Sequence, residues 1–288
     1  MPSSPPAQPK ALSPVLDLIL KPRATPLIMG VVNATGDSFY ADSRTPGVKA
    51  ALERAQTLIE EGADIIDIGG QSTRPGSSPL AQDEELGRVV PIVEALAREV
   101  KTSISIDTDK AEVARRCRMA GATILNDISA LRNDPGMARA AVDFEAVILM
   151  HRGGDSPKTM QESPSYGDVV AEVKAFFEER LRSFVASGGD RGRVLVDPGI
   201  GFGKDLGHNL SLLKHLSEFS SVAPVVLGAS RKSFLGRVSP DSGPEERLSG
   251  SLAAACWGAL EGVKIVRVHD VAQTRRALAA LSAIREAR

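Results

Sequence analysis

Residues 103–126 read SISIDTDKAEVARRCRMAGATILN, a helical pattern between two strand-like runs. The first run is rich in β-branched residues and ends at Asp107, and the second ends at Asn126. The helical pattern covers residues 111–120, and Gly121 follows it where a left-handed helix end is expected. The segment therefore predicts a strand, a helix and a second strand parallel to the first.

The same alternation recurs from Leu27 to the end of the chain. It predicts eight strands, at residues 27–32, 64–68, 103–107, 123–126, 146–150, 193–197, 224–227 and 264–268. Longer helical patterns lie between them, at residues 48–61, 83–100, 111–120, 168–187, 209–219, 247–260 and 272–285. Strands that alternate with helices indicate a parallel sheet covered by helices, which is the α/β class.

Two architectures fit this pattern, a closed (β/α)8 barrel and an open doubly wound sheet. No GxGxxG motif follows the first strand, and polar residues stand at the carboxyl ends of nearly all the strands rather than at one switch point. A (β/α)8 barrel needs ~250 residues, which this chain supplies. We therefore predict a single-domain (β/α)8 TIM barrel over residues 26–288, after a disordered or irregular lead-in over residues 1–25.

The composition favours a small-molecule partner. The 288 residues are 42% hydrophobic, enough for a substantial core, and 35 basic residues balance 36 acidic ones to a formal charge of -1. No basic stripe indicates a nucleic-acid surface, and no apolar run approaches the ~20 residues that cross a bilayer. Cys117 and Cys256 stand alone, without disulfide or zinc-site spacing. We expect a cytoplasmic protein that binds neither nucleic acid nor membrane.

Polar side chains follow most of the predicted strands, where barrels of this kind carry their catalytic groups. They are Asn33, Asp67, Asp107, Asn126, Asp127, His151, Asp197, Ser230, Arg231, Lys232, Arg267 and His269. Asp107, Asn126 and Asp197 could bind a flat heterocycle with several N–H donors through charge-assisted hydrogen bonds. Arg74, Arg267 and His269 could neutralise an anionic group.

Each of these residues also has a structural explanation. An Asp at a strand end is often only the cap of the next helix, Lys232 alone could be a solvated loop lysine, and Arg267 alone a surface ion pair. Gly199, Gly201 and Gly203 indicate either a flexible loop or a close approach of backbone to a ligand. The histidines lack the spacing of a metal site.

Several segments carry a family resemblance, and they occur in the order in which that family has them. They read MGVVNAT from Met29 with DSF from Asp37, IDIGGQSTRPG from Ile66, ISIDT from Ile104, NDIS from Asn126, LMH from Leu149, DPGIGFGK from Asp197, SRKSFLG from Ser230 and VRVHD from Val266. They resemble the motifs of dihydropteroate synthases, a family of (β/α)8 barrels, and the resemblance covers the chain from Leu27 onward. It implies a transferase of folate biosynthesis, which condenses 6-hydroxymethyl-7,8-dihydropterin pyrophosphate with p-aminobenzoate to give 7,8-dihydropteroate and pyrophosphate.

The resemblance also implies roles for individual residues. The pterin ring would contact Asp107, Asn126, Met150, Asp197, Phe202, Gly228, Lys232 and Arg267. Pyrophosphate would contact Asn33, Arg74, Arg267 and His269, and Asn33 would help to hold the accompanying Mg²⁺. p-Aminobenzoate, or a sulfonamide that mimics it, would lie against Phe39, Thr73, Pro75, Phe202, Lys232 and Ser233. The catalytic step would depend on Lys232, Arg267, Asp107 and Asp37.

Two loops depart from the family pattern. In the first, Gly36 stands where proline is common, and residues 40–43 read YADS near the place where Asp-Gly-Gly is common. In the second, Gln71 replaces a glutamate. Because glycine widens the conformational choice of a loop, we expect the first departure to weaken the binding of p-aminobenzoate and of sulfonamides.

Two other functions remain open. A pterin-binding domain of a methyltransferase would share the barrel, but it would lack the segments at residues 72–76 and 230–234 and would be joined to a cobalamin partner. A non-catalytic paralogue would have lost Asp107, Lys232 or Arg267, and all three are present. The family is usually dimeric through late helices, so the resemblance implies a homodimer formed around residues 248–260 and 272–284.

Overall fold

The structure is a computed structural model that describes residues 13–34, 44–71, 80–154, 164–238 and 247–287, with only the backbone of residues 44–46. Within these ranges the short β-branched runs form strands and the longer patterns form helices. None of the helices so described is both long and apolar enough to span a membrane.

Eight parallel strands form one sheet. They are β1 (Leu27–Asn33), β2 (Ile65–Gly69), β3 (Ser103–Asp107), β4 (Ile124–Asp127), β5 (Ala146–Met150), β6 (Val194–Asp197), β7 (Val226–Leu227) and β8 (Ile265–Val268). Their order is β6-β5-β4-β3-β2-β1-β8-β7, and a parallel bridge between Val196 and Val225 joins the two ends of that order. The sheet closes on itself, and the prediction of a (β/α)8 barrel is confirmed.

Helices flank the strands along the chain. They are α1 (Pro14–Leu20), α2 (Arg44–Glu60), α3 (Gln82–Glu99), α4 (Ala111–Ala120), α5 (Met137–Ala141), α6 (Val169–Ala186), α7 (Leu206–Lys214), α8 (Leu216–Phe219), α9 (Ser233–Val238), α10 (Leu248–Leu260) and α11 (Val271–Glu286), with a 3-10 turn at Arg191–Arg193. Gly121 ends α4 with a φ of 119°, as the sequence predicts. The helix predicted over residues 209–219 begins earlier, because Asp205 and His208 cap each other, and it is interrupted at His215.

The N-terminal lead-in contains a helix that was not predicted. Ser13 caps α1 by accepting a hydrogen bond from the N–H of Leu16 at 3.3 Å, and a proline occupies the first helical position. Val15 and Ile19 are buried in the hydrophobic cluster inside the barrel. The prediction of an irregular lead-in is wrong for this helix, because burial of its apolar face stabilises so short an element. Residues 1–12 lie outside the described residues.

The interior of the barrel changes from apolar to polar along the strands. Near the amino ends, the cluster that fills the barrel includes inward residues of four strands: Ile65, Ile124, Leu195 and Ile265. Two places further along the same strands stand Asp67, Asn126, Asp197 and Arg267. Because side chains alternate between the two faces of a strand, these residues face the same interior. A polar layer therefore lies above the apolar one, at the end of the barrel where active sites are found.

Candidate active site

Arg267 joins two carboxylates within the polar layer. Its Nε donates to Oδ2 of Asp67 at 2.6 Å, and its Nη2 donates to Oδ2 of Asp107 at 2.8 Å. The strand order explains this meeting, because β8 lies beside β1, β1 beside β2 and β2 beside β3. Asp67 is fully buried and Asp107 is 8% exposed, so the pair surrounds the guanidinium with little competition from water.

Asn126 joins this cluster through Asp67. Its Nδ2 donates to Oδ2 of Asp67 at 3.3 Å, whereas Oδ1 of Asp67 is buried and has no hydrogen-bond partner among the described residues. A buried acceptor left unpaired is destabilising. Asp67 was placed at a strand end by the sequence but was not assigned a role; its contacts give it the role of orienting Arg267 and Asn126.

Lys232 lies close to Asp197 in the same polar layer. Its Nζ donates to the carbonyl oxygen of Ile200 and lies 4.5 Å from the centroid of the Phe202 ring. Gly228 stands between the charged groups: a Cβ at this position would come within 3.4 Å of Oδ2 of Asp197 and 3.9 Å of Nζ of Lys232. Glycine therefore keeps the space beside both groups open.

Burial shifts the pKa values of the charged groups. It raises the pKa of Asp107, which Arg267 opposes, and the pKa of Asp197, which Lys232 opposes. Burial lowers the pKa of Lys232 to about 8, against the attraction of Asp197. For Arg267, burial also disfavours the charge, but Asp67 and Asp107 outweigh it and raise the pKa above the ordinary value. Arg267 thus stays positively charged. The protonation of Asp107, Asp197 and Lys232 can change when a charged ligand binds.

Three glycines shape the loop after β6. Gly199, Gly201 and Gly203 have φ angles of 67°, 83° and 64°, in the left-handed region. A Cβ on Gly199 would come within 1.8 Å of the carbonyl oxygen of His151, and the N–H of Gly199 donates to Oδ1 of Asp197 at 2.8 Å. The glycines therefore allow this loop to lie against the backbone after β5 while one of its N–H groups holds Asp197.

The residues predicted for the anion side lie after β1, β7 and β8. Nδ1 of His269 is 3.1 Å from Oγ of Ser230, and the N–H of His269 donates to the same oxygen at 3.2 Å. Asn33 ends β1 with an exposed side chain, and Ser233 begins α9. Met150 is buried at the end of β5, where it pairs in register with Asp197. The described part of the predicted site therefore assembles at one end of the barrel.

Five predicted site residues lie outside the described residues: Asp37, Phe39, Thr73, Arg74 and Pro75. Their contacts with substrate stay predictions. No group of three or more His, Cys, Asp or Glu side chains within the described ranges could hold a metal ion.

Gln71, one of the departures from the family pattern, joins a buried polar network. Its Oε1 accepts from Nζ of Lys110 at 2.7 Å and from the N–H of Leu80 at 3.0 Å. Lys110 also donates to Oε2 of Glu85 at 2.6 Å, and Oε1 of Glu85 accepts from Oγ1 of Thr108 at 2.7 Å. The neutral amide is therefore compatible with its surroundings, since Glu85 already neutralises Lys110.

Lys204 ends the DPGIGFGK motif, but the sequence predicted no role for it. It is 3% exposed, and its Nζ lies 2.9 Å from Nδ1 of His151. The available signal was its place in DPGIGFGK, directly after a glycine-rich turn that follows a strand. His151, expected to be structural rather than a metal ligand, is its partner.

Comparison with known proteins extends these observations to the whole chain. The family model for pterin binding enzymes matches residues 29–269. The dihydropteroate synthase of Escherichia coli (strain K12) is 46% identical over 260 residues, which are 90% of this chain and 91% of that protein. Residues 29–269 contain seven strands in full, all but the first two residues of β1, and the described polar layer.

Two solved structures have the same architecture. The dihydropteroate synthase of Yersinia pestis in a sulfonamide drug complex is 43% identical, with a TM-score of 0.85 over 92% of this chain and 96% of that one. The dihydropteroate synthase of Xanthomonas albilineans in complex with 7,8-dihydropteroate is 39% identical, with a TM-score of 0.80 over 92% and 94% of the two chains. The resemblance of the motifs, the barrel and the similarity over 90% of the chain agree, and this chain belongs to the pterin-binding enzymes and, among them, to the dihydropteroate synthase family.

Proposed function

We propose that the chain joins p-aminobenzoate to 6-hydroxymethyl-7,8-dihydropterin pyrophosphate, with formation of 7,8-dihydropteroate and release of pyrophosphate. The observation that carries the proposal is the polar layer, in which Arg267 binds Asp107 and Asp67 binds Asn126, while Asp197 and Lys232 lie beside Gly228. Family membership identifies the ligand class, and these side chains have the chemistry to bind it.

The polar layer suits the edge of a pterin ring. This edge presents adjacent N–H donors and a carbonyl acceptor. Asp107, Asn126 and Asp197 offer oxygens to the donors, and Lys232 offers an ammonium to the acceptor. Hydrogen bonds to charged groups contribute about 1.5–3 kcal/mol each, which is enough to select this ring system over an apolar one. Burial of the site strengthens the electrostatic part of each bond.

Departure of pyrophosphate requires positive charge near the other end of the substrate. Although burial disfavours its charge, Arg267 stays protonated because Asp67 and Asp107 raise its pKa. Together with His269 and Arg74, it would stabilise the charge that builds on the leaving oxygen as the methylene C–O bond breaks. The carboxylate form of Asp107, which Arg267 favours against the effect of burial, would at the same time stabilise the positive charge that develops on the ring.

The nucleophile is the amine of p-aminobenzoate, which is neutral at pH 7. Its lone pair forms the new C–N bond, the C–O bond breaks with its electron pair on pyrophosphate, and the amine then releases one proton to solvent. This substitution needs neither a strong base nor a covalent enzyme intermediate, so Cys117 and Cys256 have no part in it. Phe202, Lys232 and Ser233 would line the pocket for this substrate, as would Phe39, Thr73 and Pro75.

Magnesium is the cofactor that we propose for the leaving group. Mg²⁺ prefers oxygen ligands, keeps several waters and is often bound by one or two protein groups together with substrate phosphates. Asn33 fits this requirement, since it ends β1 with an exposed side chain and offers an amide oxygen. The bound ion would neutralise part of the charge on pyrophosphate.

The two alternative functions have less support. A methyltransferase domain would not be expected to match a dihydropteroate synthase at 46% identity over 90% of the chain. A non-catalytic paralogue would not need a charged network such as Arg267 with Asp67 and Asp107, because a buried ion network contributes little to stability by itself.

A pyrophosphate-release assay tests the proposed function. With Mg²⁺ present, release should require both substrates, and 7,8-dihydropteroate should appear in equal amount by mass spectrometry. Lys232→Met should lose this activity, whereas Lys214→Met, at the exposed end of α7, should keep it. Release without p-aminobenzoate, or no release with both substrates, would contradict the proposal. Addition of EDTA tests the requirement for Mg²⁺.

We also propose a cytoplasmic homodimer that forms through α10 and α11, which pack against each other. Trp257 and Leu260 on α10 are 42% and 51% exposed, and Ile284 on α11 is 73% exposed. Exposed apolar side chains on adjacent helices favour association. Light scattering should give twice the chain mass for the unchanged protein. The double variant Leu260→Asp, Ile284→Asp should have a smaller mass. If the unchanged protein is a monomer at all concentrations, the proposal is wrong.

A further inference from the structure

Lys204 is a buried cation whose contacts are all acceptors without a negative charge. Its Nζ lies 2.9 Å from Nδ1 of His151 and donates to the carbonyl oxygens of His151, Gly199 and Phe202 at 3.3, 3.0 and 2.9 Å. Its exposed fraction is 3%. Removal of an ammonium from water is unfavourable unless strong contacts replace its hydration.

The partners of Nζ favour the ammonium form, because three of the four are carbonyl oxygens. An ammonium has three N–H donors, whereas a neutral amine has two for the three oxygens and would need Nδ1 of His151 to donate to its lone pair. The three contacts at 3.0 Å or less match these three donors. With Lys204 as an ammonium, His151 accepts through Nδ1 in its neutral form, with the proton on Nε2. Burial lowers the pKa of Lys204 to about 7, and Asp197 opposes this change; burial and Lys204 lower the pKa of His151.

The carbonyl oxygens that Lys204 binds belong to two loops of the active site. His151 follows β5, whereas Gly199 and Phe202 follow β6. The N–H of Gly199 donates to Oδ1 of Asp197 at 2.8 Å, and the Phe202 ring lies 4.5 Å from Nζ of Lys232. Lys204 therefore binds the backbone of the two residues that set the positions of Asp197 and of this ring.

The β6 loop needs such a support because its glycines have little conformational preference of their own. Other contacts between the loops are neutral hydrogen bonds: the N–H of Gly153 donates to the carbonyl of Phe202 at 3.3 Å, and Oη of Tyr166 donates to the carbonyl of Gly203 at 3.0 Å. Hydrogen bonds from a charged donor are about twice as strong as neutral ones. The Lys204 contacts are thus the strongest link between the two loops among the described residues.

We propose that Lys204 is a positioning residue for pterin binding, whose ammonium clamps the β6 loop to the β5 loop and so holds Asp197 and Phe202 in place. Neutral His151 completes the clamp as an acceptor. The ammonium acts through the backbone and does not touch the substrate. The inference rests on the proposed function, since it assumes that a pterin binds against Asp197 and Phe202.

The test is the affinity of Lys204→Met for 6-hydroxymethyl-7,8-dihydropterin, measured by calorimetry well below the melting temperature. Methionine keeps the length of the side chain but has no charge and no donor. We expect a Kd that is roughly tenfold or more above that of the unchanged protein, as for loss of one charge-assisted hydrogen bond, with unchanged stoichiometry. Lys214→Met, exposed at the end of α7, is the matched control and should bind as the unchanged protein does.

A purely structural lysine would give a different result. It would lower the melting temperature of Lys204→Met but leave the Kd of the folded protein unchanged, and that outcome would overturn the proposal. If Lys204→Met does not fold, two variants of His151 provide a second test. Asparagine at this position keeps a side-chain acceptor and leucine does not, so His151→Asn should bind pterin more tightly than His151→Leu; equal affinities would overturn the clamp.

The proposed function and the clamp fail in distinguishable ways. If the unchanged protein binds no dihydropterin, the proposed function is wrong. If the unchanged protein binds it and Lys204→Met binds it equally well, only the clamp is wrong. In a double-mutant cycle, the effects of Lys204→Met and His151→Leu should be less than additive, because both remove the same link.

Discussion

The carboxylate of Asp67 pairs with the guanidinium of Arg267, 200 positions away in the chain, with Nε of Arg267 donating to Oδ2 of Asp67 at 2.6 Å. Asp67 is fully buried, and its other oxygen has no hydrogen-bond partner within the described part of the chain. A buried carboxylate that is paired with a cation but has one unpaired oxygen contributes little to the stability of the fold. Its contribution is to hold Arg267 charged and oriented.

Asp67→Asn should therefore weaken the use of 6-hydroxymethyl-7,8-dihydropterin pyrophosphate. The amide keeps the size of the side chain but removes the charge that aligns Nε of Arg267. Loss of a charged hydrogen-bond partner costs about 1.5–3 kcal/mol, so we expect the KM for this substrate to rise roughly tenfold or more. Asp64→Asn is the control, because Asp64 precedes β2 at the other end of the barrel and accepts from the N–H of Ile28 at 2.9 Å. Equal KM values for both variants would exclude the orienting role.

Replacement of Asp107 or Asp197 by alanine should weaken pterin binding directly. Each change removes a carboxylate that faces the ring, which costs about 1.5–3 kcal/mol of binding free energy or more. Calorimetry with 6-hydroxymethyl-7,8-dihydropterin measures the loss. Asp190→Ala is the control, because Asp190 is exposed and precedes β6, whereas Asp197 ends that strand. Unchanged affinity in both active-site variants would show that the pterin binds elsewhere.

Gly199→Ala should disrupt the β6 loop. The new Cβ would lie 1.8 Å from the carbonyl oxygen of His151, and the φ of 67° is unfavourable for alanine. We expect a fall in the free energy of unfolding of about 2 kcal/mol or more, together with weaker pterin binding. Gly207→Ala in α7 is the matched control, since its Cβ would meet its nearest neighbour, Oδ1 of Asp205, at 3.5 Å and helical alanine is favourable. Chemical denaturation of both variants compares them, and equal stability would contradict the prediction.

The protein should lose stability in weak acid through His151. Burial, aided by Lys204, lowers the pKa of His151 well below 6.5, so the folded state stays neutral while the unfolded state takes up a proton below about pH 6.5. The stabilising term is therefore complete above pH 6.5 and is lost as the pH falls. The free energy of unfolding should therefore fall between pH 7.5 and 5.0 through this group.

His151→Asn isolates this effect, because it removes the titrating ring and keeps an acceptor. Urea unfolding of both proteins at several pH values gives the difference in their pH dependence. The acidic groups with raised pKa values contribute equally to both proteins and cancel. If the two curves are parallel between pH 5.0 and 7.5, His151 is not held neutral in the folded state.

Ile19→Ala should destabilise the barrel without affecting the active site. Ile19 is 1% exposed and lies in the interior cluster, so removal of its methyl groups should lower the free energy of unfolding by about 2–4 kcal/mol. Pterin affinity should not change, because this cluster fills the opposite end of the barrel. Asp17→Ala, on the exposed face of α1, is the control. Thermal unfolding and calorimetry separate the two effects, and a change in pterin affinity alone would contradict the prediction.

Much of the fold could be predicted because strands and long helices leave periodic patterns. All eight predicted strands exist; the strands at 103–107 and 146–150 have the predicted ends, and the ends of the others differ by at most two residues. The elements that were not predicted are short: α1, α5 and α9 have 7, 5 and 6 residues. So short a helix depends on tertiary packing rather than on its own propensity, and its sequence carries little periodic signal. α1 is the clearest case, since the barrel interior buries its apolar face.

The sequence by itself determined which polar residues end the strands and, through the alternation of side chains, that Asp107, Asn126, Asp197 and Arg267 share one interior. It also carried the motifs that indicate a pterin ligand. Only the tertiary structure decided which of these residues bind one another. Arg267 meets Asp67 and Asp107 across 200 and 160 positions, and Lys204 meets His151 across 53. Such pairs depend on strand order, register and closure of the barrel, and these long-range contacts leave no periodic trace in a single sequence.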